Sequence, residues 1–283
     1  MVGALDPFDD VSREPLEDEA VDIIEKAQAG LDLSDAVLAA RLGVDLSRLE
    51  RIKSRGGVEL APLARELQLN APALQAMIEG TYQPAVEAPS GLLQVATAFE
   101  TMRVNAYLVW NEETKDAVAF DTGADASALM GCVDRHGLTP RAILLTHAHR
   151  DHVADLERLR RAWGTPVYIG QSEDFPDAEG FEAGKRFELG AIVAETRLTW
   201  GHCRGGVTYV VDNGGATPIA VVGDAIFAGS VGGGRVSYLD ALRTNREQIF
   251  TLPDNTVVCP GHGPLTTIEL EKRGNPFFAG SFG

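Results

Sequence analysis

Positive charge, cysteine and long apolar runs are all scarce in this chain. Its 283 residues include 25 Lys or Arg against 41 Asp or Glu, a formal net charge of −16. Such a balance works against non-specific binding to nucleic acid or to an anionic membrane surface. Three cysteines, Cys132, Cys203 and Cys259, are too few and odd in number for a disulfide scaffold, so a reducing cytoplasm is the expected compartment. No apolar run approaches the roughly 18 residues of a membrane span. The stretch Met1 to Asp10 is acidic and has no apolar centre, so no signal peptide is expected. What remains is an ordinary globular composition, 45% hydrophobic and 23% charged, long enough for one large domain and a small one.

Histidine is scarce too, with six in all, yet three of them crowd into Thr146-His147-Ala148-His149-Arg150-Asp151-His152. Imidazole is the commonest metal ligand near neutral pH, and a carboxylate beside it adds charge for a divalent cation. The preceding Ala142-Ile143-Leu144-Leu145 is short and apolar, which predicts a buried strand. From Val153 to Trp163, apolar residues recur at Val153, Leu156, Leu159 and Trp163, a helical spacing. The cluster therefore belongs on a strand-to-helix loop, where a rigid scaffold presents functional groups at an edge.

In chain order, an acidic arm over residues 1 to about 15 leads into a helical region from Leu16 to Gly80. Helices are expected at Ala20–Ala29, at Asp35–Leu42 behind a Ser34 cap, at Leu46–Ser54, at Leu60–Leu67 and at Pro72–Ile78. Thr81 to Gly91, with Pro84 and Pro89, reads as a linker. Two domains are expected, residues 1–85 helical and 91–283 catalytic. The second alternates strands and helices: strands at Leu92–Phe99, Val104–Trp110, Ala117–Phe120, Val167–Ile169, Ile192–Trp200, Val207–Val211, Ile219–Val222 and Thr256–Cys259, and helices at Ala126–His136, Leu239–Phe250 and Thr267–Lys272. That order fits a layered α/β fold.

His147-x-His149-x-Asp151-His152 resembles the HxHxDH signature of the metallo-β-lactamase-fold hydrolases. Gly201-His202, Gly223-Asp224 and Pro260-Gly261-His262-Gly263 continue the likeness in the family's order, over roughly residues 92 to 278. Val222 to Ser230 and Cys259 to Thr267 look most like the glyoxalase II (hydroxyacylglutathione hydrolase) branch. The resemblance implies an αββα sandwich, and the helical pattern before it adds a small all-α domain. It also implies two divalent metal ions, zinc first and iron or manganese next. His147, His149 and His202 would hold one, Asp151, His152 and His262 the other, and Asp224 would bridge them. Two cations roughly 3.5–4 Å apart can share a hydroxide of pKa about 7. That hydroxide would be the nucleophile, oriented by Asp151, with Asp121 behind the ligands bonding one imidazole.

Departures from the glyoxalase II pattern bear on the substrate. Where the family continues into a Gly-Arg-x-Asp turn, this chain has Gly232-Gly233-Gly234-Arg235-Val236-Ser237. It reaches Gly283 without the helical C-terminal domain that binds glutathione in the larger enzymes, so whether glutathione is the thiol part stays open. A thiolester hydrolase acting on a small molecule is the leading expectation. The alternatives are a lactonase or other ester hydrolase with Tyr238 as proton donor, and a persulfide dioxygenase with one iron on His147, His149, His202 and Asp224. Arg204, Arg235, Lys272 and Arg273 are the candidate substrate-binding cations, with Arg150 beside them, and Arg204 is the first choice to grip a carboxylate.

The five N-terminal helices resemble DNA-binding domains of the lambda-repressor type, with Asp35–Leu42 and Leu46–Ser54 as the helix-turn-helix. That would make the protein a sensor or transcription factor, with Arg48 and Arg51 on DNA. Residues 1–90 nevertheless hold 17 acidic and 8 basic side chains. A homodimer contact or a lid over the substrate is the favoured role for this region, and DNA is not.

Overall fold

The computed structural model describes residues 14–281, so the expected acidic arm lies outside it except for Glu14 and Pro15. Five helices come first: α1 (Ala20–Gly30), α2 (Asp35–Leu42), α3 (Leu46–Arg55), α4 (Leu60–Glu66) and α5 (Ala71–Ile78). Side chains at their starts explain where several of them begin. Ser34, Asp45 and Asn70 accept the backbone N–H of Val37, Arg48 and Ala73, capping donors that have no partner within the helix.

The first sheet and its helices run β1 (Leu92–Phe99), β2 (Met102–Trp110), β3 (Asp116–Phe120), α6 (Ser127–His136), β4 (Thr139–Leu144), α7 (Leu156–Trp163), β5 (Val167–Gly170) and β6 (Glu179–Phe181). The second comprises β7 (Arg186–Leu189), β8 (Ile192–Leu198), β9 (Val207–Asp212), β10 (Ile219–Gly223), a small β11 (Ile226–Phe227) and β12 (Ser230–Val231) ribbon, α8 (Tyr238–Gln248), β13 (Val257–Pro260), β14 (Thr266–Thr267) and α9 (Ile268–Gly274). Sheet orders are β1-β2-β3-β4-β5-β6 and β14-β13-β10-β9-β8-β7.

Strand alternation separates the layers, because successive side chains point to opposite faces. On β3, Val118 and Phe120 meet Ile219 and Val221 of β10 between the sheets. Ala117 and Ala119 face outward, against Ala126, Leu129 and Cys132 of the α6 segment and Leu156 and Leu159 of α7. On β10, Ala220 and Val222 face the other way, into a cluster with Ile249, Phe250, Ile268 and Phe278. This is the α/β sandwich expected. The same outer cluster takes in Ile23, Ile24, Leu38, Leu49, Ile52, Leu63 and Leu74 of α1–α5, so the five helices share an apolar layer with the second sheet.

Two short strands escape a reading by hydropathy. Glu179-Gly180-Phe181 and Arg186-Phe187-Glu188-Leu189 bury only Phe181 and Phe187 fully, so neither carries a strong apolar pattern. The helix expected from Val153 starts instead at Leu156, because residues 150–155 are turns that complete the ligand loop.

Candidate metal centre

Between β3 and β4 the chain places a buried carboxylate behind the ligand loop. Asp121 follows β3 with φ +57, a conformation that Asp tolerates better than most residues. Its carboxylate accepts the Thr146 N–H and hydroxyl, both at 2.7 Å, and lies 2.7 Å from His152 Nδ1. Asp121 is thus more than a turn residue, since it fixes both ends of the His147–His152 loop. Gly201, before His202, has φ +132, and a Cβ there would lie 2.4 Å from the Ala241 nitrogen. A Cβ on Gly261 would come within 2.1 Å of Asp224 Oδ1 and 2.7 Å of His152 Cε1, so only glycine lets that loop approach the ligands.

These loops bring together seven side chains in two groups. His147, His149, His202 and Asp224 offer ligand atoms within 4.8 Å of one another, and so do Asp151, His152 and His262. Asp224 faces both groups: its Oδ2 lies 3.3 Å from His202 Nε2 and 3.5 Å from His262 Nε2, and its Oδ1 lies 3.3 Å from His152 Nε2. Asp151 Oδ2 is 3.4 Å from His262 Nε2 and 3.6 Å from His152 Nε2.

Proton bookkeeping shows that cations fit here. His202 Nδ1 donates to the Gly233 carbonyl at 2.9 Å, and His147 Nδ1 to the Thr146 hydroxyl at 3.0 Å, that hydroxyl giving its own proton to Asp121. Both Nε2 atoms therefore carry lone pairs, and both point at His149 Nδ1, from 2.9 and 3.1 Å. One proton cannot satisfy three such nitrogens, whereas one cation can. His152 Nε2 in the second group and the Asp224 Oδ1 that faces it are buried with no hydrogen-bond partner. Two divalent ions suit this donor set.

Titration follows the same division. Burial favours the neutral ring and holds His147, His149 and His202 below the usual imidazole range, ready as ligands. Burial acts likewise on His152 and His262, but Asp224 outweighs it, together with Asp121 for His152 and Asp151 for His262. Their values are pushed up to about 10 and about 11. Without metal, protons stand in for the second cation. Raised values mean that these protons stabilise the metal-free fold fully below about pH 6.5, and that this contribution fades as pH rises through 10 to 11. Metal must displace them. We therefore expect Zn²⁺ affinity at Asp151–His152–His262 to climb between pH 7 and 9 by roughly tenfold per unit for each proton displaced, with little change at the other group. Calorimetric titration in buffers of different ionisation heat reads this directly, and absence of proton release at pH 7.5 would contradict it.

Of the substrate candidates, Arg204 and Arg235 line an open cleft of about 280 Å³ together with His149, His202, Ser172 and Asp174. The other four lie elsewhere. Tyr238 turns its ring against Gly30 of α1 and Phe277, inside the apolar layer, and does not line the cleft. Lys272, half-buried, pairs with Asp254 at 2.7 Å, and the exposed Arg273 pairs with Glu269 at 2.6 Å, neither lining the cleft. Arg150 is exposed, 5.9 Å over the Phe99 ring. Cys203 and Cys259 are buried, and burial pushes both thiols well up, so they pack and do not react.

Sequence reasoning passed over Glu173. Its carboxylate accepts the Ala148 N–H at 3.1 Å and the Gly205 N–H at 2.6 Å, tying the His147–His152 loop to the His202 loop. It sits in a polar loop without periodicity, and only the fold brings it there.

Residues 100–262 match the family described as the metallo-beta-lactamase superfamily. A Bacillus subtilis protein named as a probable metallo-hydrolase is 32% identical over 205 residues, 63% of this chain and 94% of its own length. A Haemophilus influenzae hydroxyacylglutathione hydrolase is 30% identical over 206 residues, 64% of this chain and 94% of its own. Among solved structures, the BLEG-1 B3 metallo-beta-lactamase superposes with a TM-score of 0.60 at 31% identity, covering 67% of this chain and all of that one (100%). The family match begins after α1–α5.

Proposed function

The chain belongs to the metallo-beta-lactamase superfamily, and on that footing we propose that it is a two-metal hydrolase of acyl thiolesters whose acyl or thiol part carries a carboxylate. Zinc is the first metal proposed, and iron or manganese would accept the same His and Asp donors. When bound, the metals would supply Lewis acidity, activating water and polarising the acyl carbonyl. The protein's part is to hold the donors still. Asp121 fixes His152, Thr146 fixes His147, Gly233 fixes His202, and Glu173 keeps the two ligand loops in register.

The cleft carries the choice of thiolester. It sets two guanidinium groups beside His149 and His202, and the described residues lining it include no tyrosine or lysine to protonate a leaving group. An alkoxide would need such a donor. A thiolate, from a thiol of pKa about 8.5, leaves without one. The relative named as a hydroxyacylglutathione hydrolase supports the same substrate class. The N-terminal helices support a scaffold role better than a DNA reader, because Arg48 is bound by Glu59 and Lys53 by Asp35.

Arg204 is read as the carboxylate anchor, since guanidinium grips a carboxylate by two points. Arg204→Ala is expected to raise KM for carboxylate-bearing thiolesters by tens of fold, on the order of 2 kcal/mol for a charged hydrogen bond, and to leave neutral thiolesters nearly unchanged. Steady-state kinetics on matched substrates, with a lactone and a β-lactam as controls, checks this. Equal effects on charged and neutral thiolesters would show that Arg204 supports the site and does not read the substrate.

A further inference from the structure

The segment before α1 reaches the metal centre from behind. Glu14 grips the Arg103 guanidinium with both oxygens, at 2.8 and 2.9 Å, and the Arg103 carbonyl accepts the Nδ1 proton of His262 at 2.6 Å. Three residues on, the Glu17 carboxylate lies 4.0 Å from that same Nδ1, its side chain only 25% exposed. The strap is held in place around it. Asp18 accepts the Lys26 ammonium and, at 2.5 Å, the Ser230 hydroxyl. Lys26 also donates to the Val231 carbonyl at 2.8 Å and sits 4.9 Å above the Phe227 ring, which meets the His262 ring edge-on at 5.4 Å. Gly263 closes against the strap, where a Cβ would come within 3.2 Å of the Glu17 nitrogen.

The two histidines of the second group are thus backed differently. Behind His152 stands a carboxylate in direct hydrogen-bond contact, Asp121. Behind His262 the hydrogen bond goes to a neutral carbonyl, and the negative charge comes from Glu17, one step further out. A carboxylate behind an imidazole raises the basicity of its far nitrogen and hence its grip on a cation. Glu14, Glu17, Asp18 and Lys26 all precede the family match at residues 100–262.

We propose that Glu17 is a positioning residue of the metal centre: a carboxylate delivered by the N-terminal region that strengthens His262 as a metal ligand. This rests on the two-metal reading above and is independent of which ester is cleaved. The strap and α1 are then a wall of the centre, and the helical region is coupled to metal loading through one side chain.

The full-length protein and its Glu17→Gln and Glu17→Asp variants, stripped of metal, are titrated with Zn²⁺ against a chromophoric chelator, and thiolester hydrolysis is assayed separately. Glu17→Gln keeps the shape and removes the charge. It is expected to weaken one of the two Zn²⁺ affinities about tenfold, to leave the other within about twofold, and to melt close to wild type when metal-free. Glu17→Asp is expected to recover most of the loss. Unchanged affinities in Glu17→Gln would overturn the proposal, and so would weakening of both sites together or an Asp variant no better than Gln. A wild type that binds one Zn²⁺ overturns the two-metal reading and this proposal with it. A wild type that binds two, with the Glu17 effect present and no thiolester cleaved, overturns only the substrate reading.

Discussion

Asp224→Ala is expected to abolish hydrolysis, by about a thousandfold or more, and to cut metal content well below one ion per chain. The side chain is the one donor that faces both groups, with its two oxygens 3.3 to 3.5 Å from His152, His202 and His262 Nε2. Burial by itself would raise its carboxyl, yet His152 and His262 hold it well below the usual carboxylate range. Without it, three imidazole groups lose their neighbouring charge and two cations would repel each other unshielded. Losing several kcal/mol of metal-derived transition-state stabilisation corresponds to roughly three or more powers of ten in rate. Metal analysis beside kcat on a thiolester checks both halves. Retention of two ions and of a tenth of the activity would remove Asp224 from the centre of the mechanism.

Asp121→Ala is expected to be nearly as damaging, though the residue touches neither metal nor substrate. Its oxygens are fully used by the Thr146 N–H, the Thr146 hydroxyl and His152 Nδ1. Removing them strands buried donors at about 1–3 kcal/mol each and frees His152 to rotate. We expect a stability loss of about 3–5 kcal/mol, the scale of breaking a buried charged contact. Metal affinity at the second group should fall about 10- to 100-fold. Asp121→Asn, which keeps an acceptor for the loop but loses the charge behind His152, should recover much of the stability and little of the affinity. Denaturant melts of metal-free protein and a Zn²⁺ titration separate the two effects. A stable Asp121→Ala protein with intact affinity would make Asp121 a plain turn residue.

The clustering of these His and Asp side chains was legible because few histidines are available and most fall at the ends of apolar strands, where loops must present them. The layered α/β order was legible in short continuous apolar runs such as Ala117–Phe120 and Ile219–Val222, buried on both faces, and the motif resemblance narrowed it to the sandwich. What was not legible depends on packing across the sequence. Tyr238 was the candidate proton donor as the only Tyr between Asp224 and His262 in the sequence. Its ring instead turns inward, where Gly30 leaves no side chain in the way. Lys272 and Arg273 end a helix whose buried face is set by Glu271, bound to Tyr82, Thr266, Asn275 and the Gly229 N–H. That contact sends the two basic residues outward. Glu173 and Glu17 carry no local signal at all, since each acquires meaning only from a loop brought beside it.

The most direct test is to titrate Zn²⁺ into metal-free protein while following hydrolysis of a carboxylate-bearing thiolester. We expect activity to rise steeply only as the second equivalent binds and to level off near two ions per chain. A plateau at one ion, with oxygen consumed in place of water-dependent thiol release, would contradict a two-metal hydrolase and favour a single-metal oxygenase.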